Sequence, residues 1–321
     1  MSDEDLYKHK KEIYLVLDYG NGTSGGTVKK LLSILNYDNV FNLFDIPDGN
    51  FPNHTANPEE EESLKFVFEK IFEYKDKNFV LGVAFDGDAD RFRIITKKEA
   101  VHSDMLLIFL SRKVLEEYYN FSFLKEIFSN SIVFDLKSSM FLKEKILEYK
   151  GIPVENKTGH TNIEKTLKEK KALLAGELSG HTFFNSFYFG FDDAIYSFFR
   201  TLTYLLEEKI KNNFFENVFF SNPYFSTPEI RFSVDNDEKK FLFIKILKEL
   251  LDEKGFSYST IDGFKVVDED KGFWFLIRKS NTEPKISYRV EAKSKFELEK
   301  VKSLVENLIF EVKRRMEQNM E

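Results

Sequence analysis

Residues 80–91, VLGVAFDGDADR, join an apolar run to an acidic turn. The apolar run has the length and composition of a buried strand. It ends in Asp86, Asp88 and Asp90, which are separated only by small residues, so the backbone can turn tightly and the three carboxylates can converge. Converging carboxylates repel one another, and a hard divalent cation with oxygen ligands relieves that repulsion. The stretch therefore predicts a strand followed by a metal-binding loop.

The acidic turn has two other interpretations besides the metal site. A calcium-binding EF-hand also opens with alternating aspartates, but it needs glycine at loop position 6 and glutamate at position 12. Arg91 and Lys97 occupy those positions, which excludes the EF-hand. A solvated acidic turn stays open as the alternative. Arg91 favours the metal site, because a guanidinium beside a metal is suited to holding a phosphate.

Composition limits the class of protein. The 321 residues are 42% hydrophobic, which suffices for two or three folded domains. A net charge of -7 argues against a broad nucleic-acid surface, and the absence of cysteine excludes disulfides and thiolate metal sites. The charged N-terminus has no signal-peptide pattern, and no stretch is apolar enough to span a bilayer. We expect a cytoplasmic protein with neither a nucleic-acid nor a membrane partner.

The first strand is followed by a glycine-rich turn. Residues 13–17 form an apolar run, and Gly20, Gly22 and Gly25 after it fit the dinucleotide fingerprint G-x-G-x-x-G. Asp45 follows a second strand about where a ribose-binding acid lies in such proteins. Any tight turn between a strand and a helix also favours glycine, so an oxidoreductase with a nucleotide cofactor is only an alternative.

Alternating strands and helices predict an α/β fold over most of the chain. We expect two consecutive three-layer α/β domains with mixed sheets, at residues 1–100 and 101–218. Hairpins and two helices then predict a C-terminal α+β domain with an antiparallel sheet at residues 219–321. The first domain carries the metal-binding loop, and the other two carry polar clusters of their own.

The second domain has two polar clusters. His160 ends the sequence KTGH, and Glu177, Ser179 and His181 alternate in GELSGH. If this stretch is extended, the three alternating side chains share one face and suit a polyhydroxylated ligand. His181 is the residue best suited to proton transfer near neutral pH. A polar turn between strands is the alternative.

The C-terminal domain contains a donor-rich hairpin, RKSNTEP, at residues 278–284, with Arg289 on the returning strand. A guanidinium, two hydroxyls and an amide around a tight turn can converge on a phosphate dianion. A plain hairpin turn is the alternative.

Six motifs in a fixed order resemble the α-D-phosphohexomutase superfamily, and most closely phosphomannomutase/phosphoglucomutase. They are GNGTSGG at 20–26, DGNFPNH at 48–54, GVAFDGDADR at 82–91, KTGH at 157–160, AGELSGH at 175–181 followed by FGFDDAIYS, and RKSNTEP at 278–284. The resemblance runs nearly end to end, and it removes most of the weight from the dinucleotide alternative.

The resemblance implies a role for each matched residue. The metal would be Mg²⁺, held by Asp86, Asp88 and Asp90, with Arg91 beside the phosphoryl group and His181 as the proton-transfer residue. The substrate would be a hexose phosphate, converted between its 1-phosphate and 6-phosphate through a hexose 1,6-bisphosphate. Sugar-binding and phosphate-binding residues would be His160, Glu177, Ser179, Arg278, Ser280, Asn281, Thr282 and Arg289.

Two departures from the superfamily pattern matter. Its first domain carries a phosphoserine in a T-A-S-H-N-P-like loop, which this sequence lacks, and the resemblance begins at the second domain. We therefore expect that turnover needs a first domain carrying the phosphoserine, either encoded as a separate polypeptide or truncated away from this chain. The alternative is a non-catalytic sugar-phosphate-binding or regulatory derivative of a mutase. Met140 and Phe141 also stand where the superfamily tends to have arginine, so one substrate contact or one interdomain contact is expected to be lost.

Overall fold

The computed structural model describes residues 10–212, 219, 222–280 and 283–318. Its strands are β1 (Ile13–Asp18), β2 (Val40–Leu43), β3 (Phe79–Phe85), β4 (Phe92–Ile95), β5 (Ser131–Asp135), β6 (Ile152–Asn156), β7 (Leu174–Gly176), β8 (Thr182–Phe184), β9 (Phe225–Ser226), β10 (Ile230–Ser233), β11 (Phe264–Asp268), β12 (Phe273–Lys279) and β13 (Lys285–Ala292). Its helices are α1 (Ser24–Ile34), α2 (Glu61–Glu73), α3 (Ser103–Asn120), α4 (Ser122–Ile127), α5 (Met140–Glu148), α6 (His160–Glu169), α7 (Ala194–Asn212), α8 (Asp237–Glu253) and α9 (Lys295–Gln318).

The first sheet has the strand order β2-β1-β3-β4. Strand β1 pairs parallel with β2 and β3, and β4 runs antiparallel to β3. Helix α2 makes the crossover into β3 and buries Leu64, Val67 and Ile71, which recur at helical spacing. A Cβ on Gly82 would lie 2.6 Å from the side chains of Val67 and Ile71, so glycine lets the helix approach the strand closely. Because β1 and β3 are parallel, the loops after them lie side by side at one edge.

The second sheet has the order β6-β5-β7-β8, with β5 and β7 parallel and β8 antiparallel to β7. Helix α6 packs Ile163 and Leu167 against the sheet residues Val133, Ala175 and Phe183. The β7–β8 connection therefore starts at the carboxyl end of a parallel strand, the usual location of binding residues in α/β sheets.

The third sheet is antiparallel, in the order β10-β13-β12-β11, and β9 also pairs with β13. Apolar residues of α8 and α9 bury against this sheet and form one hydrophobic cluster with it. The predicted fold class, two α/β domains with mixed sheets and a C-terminal α+β domain, is confirmed.

The chain divides into two compact units. The first unit holds the described residues before 222, apart from 139–141 and 156–158. The second unit holds these two stretches and the described residues from 222 onward. The two domain boundaries expected from the sequence stay predictions. Within the described part of the chain, no helix has the length and apolar character needed to cross a membrane.

Candidate functional site

The acidic loop closes the β3–β4 hairpin around the carboxylate of Asp86. This residue follows β3 directly and is fully buried. Its Oδ1 accepts hydrogen bonds from the backbone N–H groups of Asp90 and Arg91, both at 3.1 Å, and its Oδ2 accepts one from Arg91 Nε at 2.7 Å. Ala89 adopts a left-handed backbone (φ 67°), which its small side chain tolerates better than a branched one would. Asp86 thus fixes the shape of the loop.

The three aspartates of this loop converge. Asp86, Asp88 and Asp90 each offer a carboxylate oxygen, and these oxygens lie within 4.8 Å of one another. Asp88 is exposed, so the cluster is open to solvent on one side. Asp90 Oδ1 is buried and has no hydrogen-bond partner among the described residues, although Arg91 Nε lies 3.5 Å away. A set of carboxylates with one buried oxygen left unsatisfied fits a hard divalent cation with oxygen ligands.

Burial and neighbouring charges shift the pKa values of the acidic loop and of His181. The pKa of the Asp86 carboxyl is raised to about 7, first because it is buried and second because Asp90 lies beside it. The pKa of the Asp90 carboxyl is lowered, chiefly by its hydrogen bond with His181. Burial alone would lower the pKa of His181, but Asp90, Glu177 and Asp192 outweigh burial and raise it. The cluster therefore concentrates negative charge that a cation would neutralise.

A backbone bridge joins the acidic loop to the β7–β8 connection. Arg91 and His181 pair as an isolated antiparallel bridge, which places His181 Nε2 3.3 Å from Asp90 Oδ2. Helix α7 also holds the loop, because the N–H of Ala194 donates to the carbonyl of Ala89 at 3.0 Å. Two loops that are distant in sequence thus form one polar cluster within the first unit.

The β7–β8 connection is a tight turn, so the predicted extended stretch at 177–181 is wrong. The N–H of Gly180 donates to Glu177 O and the N–H of Glu177 donates to His181 O, both at 3.0 Å. Gly180 has φ 100°, a conformation that glycine adopts without strain. The side chains still meet: Ser179 Oγ lies 2.9 Å and Glu177 Oε2 lies 3.5 Å from His181 Nδ1.

Glu177 also holds the segment that carries His160. Its buried carboxylate accepts a hydrogen bond at Oε1 from the N–H of Gly159, at 2.6 Å. His160 is the next residue and begins α6, so Glu177 contacts both histidine-bearing segments. The rings of His160 and His181 have centroids 5.8 Å apart. The structure therefore brings His160, Glu177, Ser179 and His181 together, while their binding to a sugar stays a prediction.

The glycine-rich turn after β1 packs against the acidic loop. A Cβ on Gly22 would lie 2.6 Å from Gly87 O, and the N–H of Thr23 donates to that same oxygen at 2.9 Å. A Cβ on Gly25 would lie 2.7 Å from Asp45 O. These close backbone approaches explain the glycines without a nucleotide.

The predicted phosphate-binding hairpin lies between β12 and β13 in the second unit. Arg278 and Ser280 line a cavity of about 150 Å³ that Glu229, Arg231 and other polar residues also line. Arg278 forms an ion pair with Asp262 at 2.8 Å. Arg289 is buried on β13 and donates from its guanidinium to Ser226 Oγ at 3.1 Å. Asn281 and Thr282 lie outside the described residues.

Sequence reasoning missed Asp192. A carboxylate oxygen of Asp192 and one ring nitrogen from each of His160 and His181 lie within 4.8 Å of one another. Asp192 reaches this position because it bridges to Phe183 on β8. The motif FGFDDAIYS contains this residue, but nothing in the motif singles it out from its neighbours.

Comparisons with known proteins identify the family of this chain. Family models of phosphoglucomutase/phosphomannomutase match residues 5–99 (alpha/beta/alpha domain II), 102–215 (alpha/beta/alpha domain III) and 229–308 (C-terminal domain). The chain belongs to the phosphoglucomutase/phosphomannomutase family. The resemblance inferred from the six motifs is confirmed.

Two relatives in this family show how similar the chain is to known proteins and how much of their length it covers. The chain is 39% identical over 296 residues to a phosphomannomutase/phosphoglucomutase of Pseudomonas syringae, covering 92% of this chain and 60% of that protein. A family protein from Burkholderia thailandensis is 31% identical, with a TM-score of 0.78 over 97% of this chain and 63% of that chain. The chain thus spans about three-fifths of the length of the relatives it matches.

A more distant solved structure shares the fold alone. It is the N-acetylphosphoglucosamine mutase of Aspergillus fumigatus in complex with GlcNAc-6P and magnesium. That protein is 14% identical to this chain, with a TM-score of 0.63 over 95% of this chain and 68% of that one.

Proposed function

We propose that this chain binds Mg²⁺ and a hexose phosphate as part of a phosphohexomutase. The reaction would interconvert hexose 1-phosphate and hexose 6-phosphate through a hexose 1,6-bisphosphate. The observation that carries the proposal is the convergence of three aspartate oxygens beside Arg91 and His181, in a chain of the mutase family. A magnesium complex of a mutase with the same fold supports the choice of metal.

The acidic loop and His181, both in the first unit, would bind the metal, bind the phosphoryl group and transfer the proton. Asp86, Asp88 and Asp90 hold the cation, which would neutralise charge on the transferred phosphoryl group. Arg91 is fixed by Asp86 at 2.7 Å and keeps other guanidinium N–H groups for that phosphoryl group. His181, held through Nδ1, moves a proton at Nε2 to or from a sugar hydroxyl.

The sugar itself is proposed to contact the face formed by His160, Glu177 and Ser179. In the second unit, Arg278 and Ser280, with Asn281, Thr282 and Arg289, would hold the phosphate that does not react. Arginine suits this role because its planar fork matches phosphate oxygens.

We further propose that turnover needs a phosphoserine from outside these 321 residues, carried by a further domain or by a separate polypeptide. The sequence has no T-A-S-H-N-P-like loop. Three aspartates fill only half of the six oxygen positions that Mg²⁺ prefers, which leaves room for a phosphoryl oxygen and water.

The test uses the purified chain with glucose 1-phosphate, Mg²⁺ and glucose 1,6-bisphosphate. We expect calorimetry to show binding of the sugar phosphate, while a coupled assay shows no conversion until a polypeptide with a phosphoserine loop is added. Conversion by the chain alone would refute the need for that polypeptide. Absence of both Mg²⁺ and sugar-phosphate binding would refute the function itself. Binding that no such polypeptide converts into turnover would instead identify a non-catalytic sugar-phosphate-binding derivative.

A further inference from the structure

A second group of potential metal ligands lies next to the acidic loop and differs from it in chemistry. It consists of His160, His181 and Asp192, with one ligand atom from each within 4.8 Å of the others. Two imidazoles and one carboxylate are the donors that Zn²⁺ and similar transition cations prefer, whereas Mg²⁺ prefers oxygen alone. The two clusters therefore select for different metals.

His181 already has polar partners for the ring nitrogen that would not bind the metal. A histidine that binds a metal through one ring nitrogen usually donates its other N–H to a neighbouring acceptor. His181 Nδ1 lies 2.9 Å from Ser179 Oγ and 3.5 Å from Glu177 Oε2. Both oxygens can accept a hydrogen bond from Nδ1. The other nitrogen, Nε2, lies 4.0 Å from Asp192 Oδ2 and 3.3 Å from Asp90 Oδ2, so a cation bound there would take the place of a proton shared with Asp90.

The backbone fixes two of the three ligands. His181 is bridged to Arg91, and Asp192 is bridged to Phe183. Two ligands of a tetrahedral zinc ion lie about 3.4 Å apart, because the bonds are about 2.0–2.2 Å long. The present atoms must approach by at most about 1.4 Å, which side-chain rotation of the exposed His160 can largely supply.

We propose that His160, His181 and Asp192 form a second metal site that takes a borderline transition cation such as Zn²⁺. The site has three protein ligands and an open fourth position. It adjoins the aspartate site, because His181 Nε2 lies 3.3 Å from Asp90 Oδ2. Provided that the proposed function holds, a cation there occupies the face that binds the sugar, so Zn²⁺ inhibits by excluding the hexose phosphate.

The test is a Zn²⁺ titration of the full chain by calorimetry in saturating Mg²⁺, repeated with Co²⁺ as a spectroscopic probe. We expect one Zn²⁺ site to remain under these conditions. Co²⁺ in it should give the strong visible absorption of four-coordinate cobalt rather than the weak absorption of an octahedral oxygen site. His160→Gln and Asp192→Asn should each weaken Zn²⁺ binding more than tenfold.

Two control variants separate this site from the others. His102→Gln removes an exposed histidine outside the cluster and should leave Zn²⁺ binding unchanged. Asp88→Asn should weaken Mg²⁺ binding and leave the Zn²⁺ site of this cluster intact. If no Zn²⁺ binds at saturating Mg²⁺, the proposal is overturned. If Zn²⁺ binding disappears in Asp88→Asn and persists in His160→Gln, the ion binds to the aspartates and the proposal is also overturned, with the proposed function untouched.

Discussion

Replacing Gly22 by alanine tests whether the glycine turn supports the acidic loop. The new Cβ would lie 2.6 Å from Gly87 O and 2.9 Å from Asp86 O, both backbone atoms that no rotamer change can move away. Restoring an ordinary contact of at least 3.4 Å requires a displacement of about 0.8 Å. In a competent metal site, the metal–ligand distances lie within about 0.2 Å of their standard values. The substitution should therefore move the loop out of its metal-binding geometry.

We expect Gly22→Ala to weaken Mg²⁺ binding at least tenfold, measured by calorimetry. Overpacking should also lower the free energy of unfolding by about 1–3 kcal/mol, measured by urea denaturation. Gly26→Ala is the matched control, because a Cβ at Gly26 meets nothing within 4 Å. Gly26 lies in helix α1, where alanine is favoured by up to about 1 kcal/mol, so this variant should bind Mg²⁺ normally and be no less stable.

Two results would refute this reasoning. If Gly22→Ala loses stability but binds Mg²⁺ as the wild type does, the acidic loop does not hold the metal. If Gly22→Ala changes neither quantity, the packing of the turn against the loop is not as described.

Three further predictions follow from single contacts. Asp88→Asn changes an exposed residue, so the free energy of unfolding should change by less than about 0.5 kcal/mol. The Mg²⁺ affinity, measured by calorimetry, should fall more than tenfold. An affinity equal to that of the wild type would contradict the metal site. Glu177→Ala removes the acceptor of the Gly159 N–H and should lower the free energy of unfolding by about 1.5–3 kcal/mol, measured by urea denaturation. Glu177→Gln keeps an acceptor and should lower it less. Equal losses in the two variants would count against this contact. The hydrogen bond that His54 Nε2 donates to the Asp18 carboxylate raises the pKa of His54 above 6.5. The pair therefore stabilises fully below pH 6.5 and loses this contribution as pH rises through the raised pKa. His54→Gln should therefore cost more stability at about pH 6 than at about pH 9, and a cost that does not vary with pH would show that the pair is not charged.

The local sequence pattern was enough to predict the strand that precedes the acidic loop and the fold class around it. The apolar run before Asp86 is β3, and the alternating elements assemble into mixed sheets because parallel strands need crossover helices. The spacing of the aspartates also predicted their convergence, since small residues between them allow the tight turn.

Contacts between distant segments could not be predicted in the same way. The pairing of Arg91 with His181 depends on how two sheets meet, which no local pattern encodes. The turn at Gly180 contradicts the predicted extended stretch, because alternating polar residues suit either conformation. The hydrogen bond from Gly159 to Glu177 and the approach of Asp192 to the histidines likewise arise only in the folded chain.

The most direct test of the account is a crystal structure of the chain grown with Mn²⁺, a substitute for Mg²⁺ that anomalous diffraction can locate. We predict an anomalous peak at the carboxyl end of β3, from an ion coordinated by one oxygen from each of Asp86, Asp88 and Asp90. A crystal saturated with Mn²⁺ that shows no peak there, or shows the ion bound to other residues only, would contradict it.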